Sequence, residues 1–268
     1  MNQSTSNSPL HLRNWDNADL PVFRAEAPTG TRSLRALADA EELAYLVPLV
    51  ASNIVSSDRK AAIAIVHFTA SLALDILLSS ATLDGIGIEA TADQLGLVFE
   101  EDGTLSGVWI ADTVDFYEGI LAVPLGEQLS SLLKPIVAAV RARWHISRRG
   151  LDLVLFDAIR RRCRQMENRH VAIWEGGWGD ELLTAMGDTR IRPPHTITLP
   201  GDDGEPVELE MRRVCCVLAT CSTPTACPTC PQHSDADRRR YADLWLRSMD
   251  DQEFLCETGR RRVTSQLS

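Results

Sequence analysis

Apolar and polar residues in this chain follow two periods, and the changes between them mark its elements. Over residues 32–55, Leu34, Leu37, Leu43, Leu46 and Val50 recur at helical spacing, which predicts helix. Pro48 falls inside that stretch and is expected to kink or divide it. Ser57 or Asp58 can cap the next helix, which carries the apolar run 61–80. The pattern then shortens. Residues 95–100 and 105–110 are brief, partly β-branched or aromatic runs around Glu101-Asp102-Gly103-Thr104, and an Asp-Gly turn between such runs predicts a β-hairpin. Residues 114–146 read as a long helical region in which Pro124 and Pro135 each start, bend or divide a helix. A further helix is expected over 149–168, where Leu151, Leu155, Ile159 and Cys163 share one face. Glycines around Trp174 and Trp178 suggest a bend or a close backbone approach. Residues 197–199 and 207–213 look extended, on either side of Gly201-Asp202-Asp203-Gly204. The last element expected is a helix over 234–249, with a Ser or Asp cap.

These elements make an α+β chain: a helix-rich domain with small β-hairpin or sheet elements, followed by a cysteine-rich C-terminal module. Residues 1–30 carry many Ser, Asn and Pro and read as an extended lead-in. Residues 31–210 form the body, and 211–268 the cysteine module with its terminal helix. No internal repeat is present. At 268 residues, with 44% hydrophobic and 24% charged side chains, the composition is that of a soluble globular protein. A net charge of -10 argues against a nucleic-acid binder. The arginine runs at 160–162, 238–240 and 260–262 are short and flanked by acids, so they read as solvated helix faces or tail. Residues 61–80 approach bilayer length, but His67 and Asp75 within them are costly at mid-bilayer. A buried helix is therefore expected and no transmembrane segment, which leaves peripheral membrane contact open. The N-terminal residues show no secretory pattern, so a reducing compartment is expected for the thiols.

The chemistry concentrates in the cysteines. Cys215 and Cys216 are adjacent; ten residues follow, then Cys227-Pro228-Thr229-Cys230. Neighbouring side chains of a regular strand point to opposite faces, so the pair must leave a strand to converge on one centre. Pro224 and Pro228 help to turn the chain back, and Cys-x-x-Cys can wrap two thiolates around one metal. On spacing alone three readings stand: a [2Fe–2S] cluster, a four-cysteine zinc site, or disulfides. The disulfide reading is the weakest, because a bridge between adjacent cysteines is strained and the compartment is reducing.

The arrangement Cys-Cys-x10-Cys-x-x-Cys resembles the signature of the FhuF-like ferric-siderophore reductases, matched here at Cys215, Cys216, Cys227 and Cys230. Arg212-Arg213-Val214 before the pair and Ala226-Cys227-Pro228-Thr229-Cys230-Pro231 at the close are similar in setting. The resemblance covers about residues 211–232. Trp178-Gly179-Asp180 is similar to a Trp-Gly-Asn segment of the family. The resemblance implies a cytoplasmic iron–sulfur protein that holds a [2Fe–2S] cluster on these four cysteines. It also implies one-electron reduction of siderophore-bound Fe(III) to Fe(II) for intracellular iron release. Hard hydroxamate or catecholate oxygens hold Fe(III) tightly and Fe(II) poorly, so one electron frees the metal. The competing functions are a zinc-bearing structural or interaction protein, and an iron–sulfur carrier or sensor that never meets a siderophore.

No other catalytic residues are assigned beyond the cluster. Arg212 and Arg213 adjoin the ligands in sequence. Their charge would favour a reduced, more negative centre and attract an anionic chelate. Cys221 lies in the spacer and Cys256 near the tail, both outside the ligand set. Cys163 and His67 are expected in the core, Trp174 and Trp178 in packing, and His233 at the surface. The chain carries no Gly-x-Gly-x-x-Gly fingerprint and no phosphate loop. Electrons would therefore come from a separate ferredoxin or reduced flavin.

Overall fold

The computed structural model describes residues 10–12, 20–24, 26–84, 86–118, 122–169, 177–187, 196–200, 206–211, 234, 236–237 and 239–240. Five α-helices and nine β-strands are found there, an α+β architecture. The strands are β1 (Leu10–Leu12), β2 (Leu20–Arg24), β3 (Thr31–Ser33), β4 (Ile86–Glu89), β5 (Leu95–Phe99), β6 (Leu105–Ile110), β7 (Asp115–Glu118), β8 (Thr196–Pro200) and β9 (Pro206–Glu210). The helices are α1 (Ala40–Asn53), α2 (Asp58–Asp84), α3 (Ala122–Trp144), α4 (Arg148–Arg169) and α5 (Trp178–Met186).

The hairpin β5–β6 forms where the Asp-Gly turn predicts it. Its register pairs Leu95 with Ile110 and Leu97 with Val108. Asp102 accepts a 2.8 Å hydrogen bond from the Thr104 amide, and Gly103 takes φ +84°. A Cβ on Gly103 would stand 2.6 Å from the Leu49 carbonyl carbon, so the turn needs glycine for conformation and for room against α1. Asn53 closes the same contact by donating to Thr104 Oγ1 at 2.7 Å. Around this hairpin a sheet assembles in the order β1-β2-β6-β5-β3. The stretch expected as an extended lead-in thus supplies two strands, and β2 runs parallel to β6 with Phe23 opposite Trp109. Both edge strands have three residues, which leaves little backbone for unwanted pairing.

The helices form the other layer. Leu34, Leu37, Leu43, Leu46 and Val50, read as one helical stretch, are all buried. Leu34 lies in the turn after β3, Leu37 in a 3-10 turn at Ala36–Ala38 and the other three in α1, because Asp39 starts a new helix by accepting from the Glu41 and Glu42 amides. Pro48 lies on the exposed side of α1 and does not divide it. Helix α2 is buried nearly all round between Ala61 and Leu77 and packs on α1, α3 and α4. His67 within it is 2% exposed, and its ring lies 6.0 Å from that of Phe68. No helix among the described residues is long and apolar enough to cross a membrane.

One correction concerns residues 114–146. Residues 115–118 are strand β7, antiparallel to β4, where the periodicity suggested helix. Pro135 does not divide α3. It faces solvent, while Leu129, Leu132, Leu133, Ile136, Val137 and Val140 are buried on the other side. Each of these buried side chains contributes roughly 1.5–3 kcal/mol, enough together to outweigh the local cost of about 3 kcal/mol. Pro124 falls in the first turn, where its missing N–H has no intrahelical partner to lose. In α4 the expected stripe Leu151, Leu155, Ile159 and Cys163 is buried.

Candidate metal centre

The cysteine segment lies between strand β9 and Ser234 in the chain. Before it, β8 and β9 pair antiparallel, with Thr196 opposite Glu210, and the chain leaves the ladder at buried Met211. After it, Ser234 Oγ accepts from the Asp237 amide at 3.2 Å and donates to the Asp237 carboxylate at 2.6 Å. A serine with an acid three residues on is a helix N-terminal signature, and residues 236–237 and 239–240 are helical; the rest of the helix expected over 234–249 lies outside the described residues. Arg239 and Arg240 are exposed.

Cys215, Cys216, Cys227 and Cys230, with Cys221, Arg212, Arg213 and His233, lie in residues 212–233, outside the described residues. Trp174 and Cys256 lie outside them too. Among the described residues no group of three or more His, Cys, Asp and Glu side chains is placed to hold a metal ion. Cys163 is 2% exposed, packed in the apolar core as expected. The fit of a metal centre therefore rests on the chemistry of the donor set. Four soft, deprotonatable sulfurs match the ligand requirement of a [2Fe–2S] cluster and equally that of zinc.

One polar contact escapes the sequence reading. Arg160, expected on a solvated face, is 6% exposed and bonds Asp180 Oδ1 through Nη1 at 3.0 Å. It joins α4 to α5. The signal for its burial was its position one helical turn after Phe156, itself 5% exposed; the two arginines that follow disguised it. Asp180 belongs to Trp178-Gly179-Asp180, where the chain enters α5 through Gly177. Trp178 is half-buried and packs against the core. Asp180 is thus occupied as the carboxylate partner of a buried cation.

A groove of about 620 Å³ runs between α3 and α5, lined by Glu127, Ser130, Ser131, Lys134, Pro135, Ala138 and Ala185. None of the site residues read from the sequence lines it. Comparison with known proteins adds no assignment: the chain matches no protein-family model and no curated protein.

Proposed function

We propose that the protein is a cytoplasmic reductase of ferric siderophores, similar in its cysteine signature to the FhuF-like reductases. The observation that carries this reading is the spacing Cys215-Cys216-x10-Cys227-x-x-Cys230. These four thiolates would hold a [2Fe–2S] cluster, which supplies one-electron transfer when bound. The substrate is Fe(III) in a chelate of hard oxygens, and the product Fe(II) is released because those oxygens bind it weakly.

The remaining tasks fall to the chain's own side chains. Arg212 and Arg213 stand three and two residues before Cys215, and their positive charges would attract an anionic chelate to a cluster held there. The same charges favour the more negative, reduced centre. With no dinucleotide fingerprint in the sequence, the electron comes from a separate ferredoxin or reduced flavin.

The test is an anaerobic absorption and EPR spectrum before and after dithionite, with iron, sulfide and zinc analysis of the same sample. Visible charge-transfer bands, and a paramagnetic signal that appears on reduction, are expected. Cys227→Ser should abolish both, whereas Cys221→Ser should leave them in place. The reduced protein should be reoxidised by a ferric siderophore in a single turnover. A colourless, EPR-silent protein with stoichiometric zinc would overturn the redox reading in favour of a structural module.

A further inference from the structure

The chain is strongly acidic overall, yet one corner of it is the reverse. Residues 128–151 contain no Asp or Glu, but hold Lys134, Arg141, Arg143, Arg148 and Arg149 as well as His145. The fold gathers four of these arginines at one place. Arg141 and Arg143 occupy the last turn of α3, and Arg148 and Arg149 open α4 across a connector of three residues, His145, Ile146 and Ser147. All four arginines and His145 are exposed, while Ile146 is buried at 6% and anchors the corner.

Helix stability explains only half of this arrangement. Cations in the last turn of α3 suit the negative end of its dipole. Those in the first turn of α4 oppose the dipole there, and that turn holds no acidic residue. Arg148 reaches Asp152 at 3.6 Å, with the arginine's side chain 75% exposed. The Arg143 guanidinium carbon lies 5.7 Å from the centre of the Trp144 ring, within cation–π reach. His145 holds φ +50°, a backbone conformation uncommon outside glycine. Local preferences broken together at an exposed place mark a surface kept for something other than folding.

We infer that the α3–α4 corner is a docking surface for the acidic face of a protein. Resting on the reductase reading, that protein is the external electron carrier. Its charge matches such a partner, and other anionic partners fit less well. The exposed large apolar side chains among the described residues are Tyr45, Val55 and Val123, none of them at this corner, so no wedge is offered to a lipid surface. A nucleic acid or a membrane presents an extended negative surface that the net charge of -10 repels. A small acidic protein meets the corner alone, because screening confines the field to about 10 Å at 0.1 M salt. The cations lie on an open surface, which suits a broad acidic face and not a single small anion.

The experiment follows association of a fluorescently labelled acidic [2Fe–2S] ferredoxin with the full-length protein by stopped flow, against ionic strength. The sign decides. Two acidic proteins meeting at random repel, so their association would speed up with added salt. Docking on this corner makes it slow down, by about tenfold or more from low to high salt. Arg141, Arg143, Arg148 and Arg149 all changed to Glu should abolish the slowing, and all changed to Lys should restore it. Circular dichroism of both variants confirms that each is folded. Absent binding, association that speeds up with salt, or a Glu variant that binds as the parent does would each overturn the proposal. Binding only to vesicles containing anionic lipid, or only to a DNA duplex, would overturn it as well. The absorption spectrum of the same samples is read separately. Ferredoxin docking without a cluster spectrum removes the reductase reading and leaves the acidic-protein surface standing.

Discussion

Val55 carries the clearest local strain in the described chain. Helix α1 ends in a pair of hydrogen bonds, Ser56 N–H to the Ala51 carbonyl at 2.8 Å and Val55 N–H to that of Ser52 at 3.2 Å. This closure puts its penultimate residue in the left-handed region, a position that glycine normally fills. Here it is a β-branched valine at φ +49°, 64% exposed and with little packing to lose. Val55→Gly should therefore stabilise the fold by about 1 kcal/mol, read as a higher urea midpoint at unchanged slope. The opposite sign is expected at Asp180. Asp180→Ala takes the Asp180 carboxylate away from the buried Arg160 charge. A fully buried pair would cost about 3–5 kcal/mol to break in this way. Asp180's side chain is 46% exposed, and solvent screening reduces the expected loss to roughly 1–3 kcal/mol. Asp180→Asn, which keeps an acceptor, should recover part of it in the same urea titration.

At the scale of elements, α3 and α5 meet more closely than side chains usually allow. Gly126 makes this approach: a Cβ there would lie 2.5 Å from the Leu182 carbonyl oxygen and 2.8 Å from the Ala185 Cβ. The first obstacle is backbone and cannot rotate away. Gly126→Ala should destabilise by roughly 1–3 kcal/mol despite its better helix propensity, seen as a lower thermal midpoint. Elements whose pattern and punctuation agree could be read from the sequence. The β5–β6 hairpin had two short, partly β-branched or aromatic runs and an Asp-Gly turn, α4 had its stripe of every fourth residue, and Ser234 had an acid at the right distance. Strand β7 could not be read, because four residues beside a long apolar run carry too little period of their own. Its strand state comes from pairing with β4, a partner distant in sequence. Arg160 was misread for a related reason: composition describes a run, whereas burial is decided residue by residue by what packs across from it. The candidate metal ligands are the reverse case. Their legibility lies wholly in the spacing of cysteines, since thiolate chemistry needs no periodic pattern.

At the scale of the whole molecule, charge is unevenly shared. A pI of about 5.1 keeps the protein anionic at neutral pH, and the α3–α4 corner and the Arg212–Arg213 pair are local exceptions. On the reading proposed above, one set of arginines would receive the donor and the other the ferric chelate. The core binds the two layers together. Apolar residues of the sheet, such as Leu95, Leu97 and Val108, belong to one buried cluster with those of α1, α2, α3, α4 and α5.

The parallel pairing of β2 with β6 also sets an order in time. The hairpin β5–β6 closes over a short turn and can form as soon as it is made. Leu20–Arg24 leaves the ribosome long before Leu105–Ile110 exists to receive it. Through that interval β2 has only the three-residue β1 to pair with, and an isolated two-stranded ribbon is marginal in water. The N-terminal strands must therefore wait, and they complete the sheet after α1, α2 and the hairpin have been synthesised.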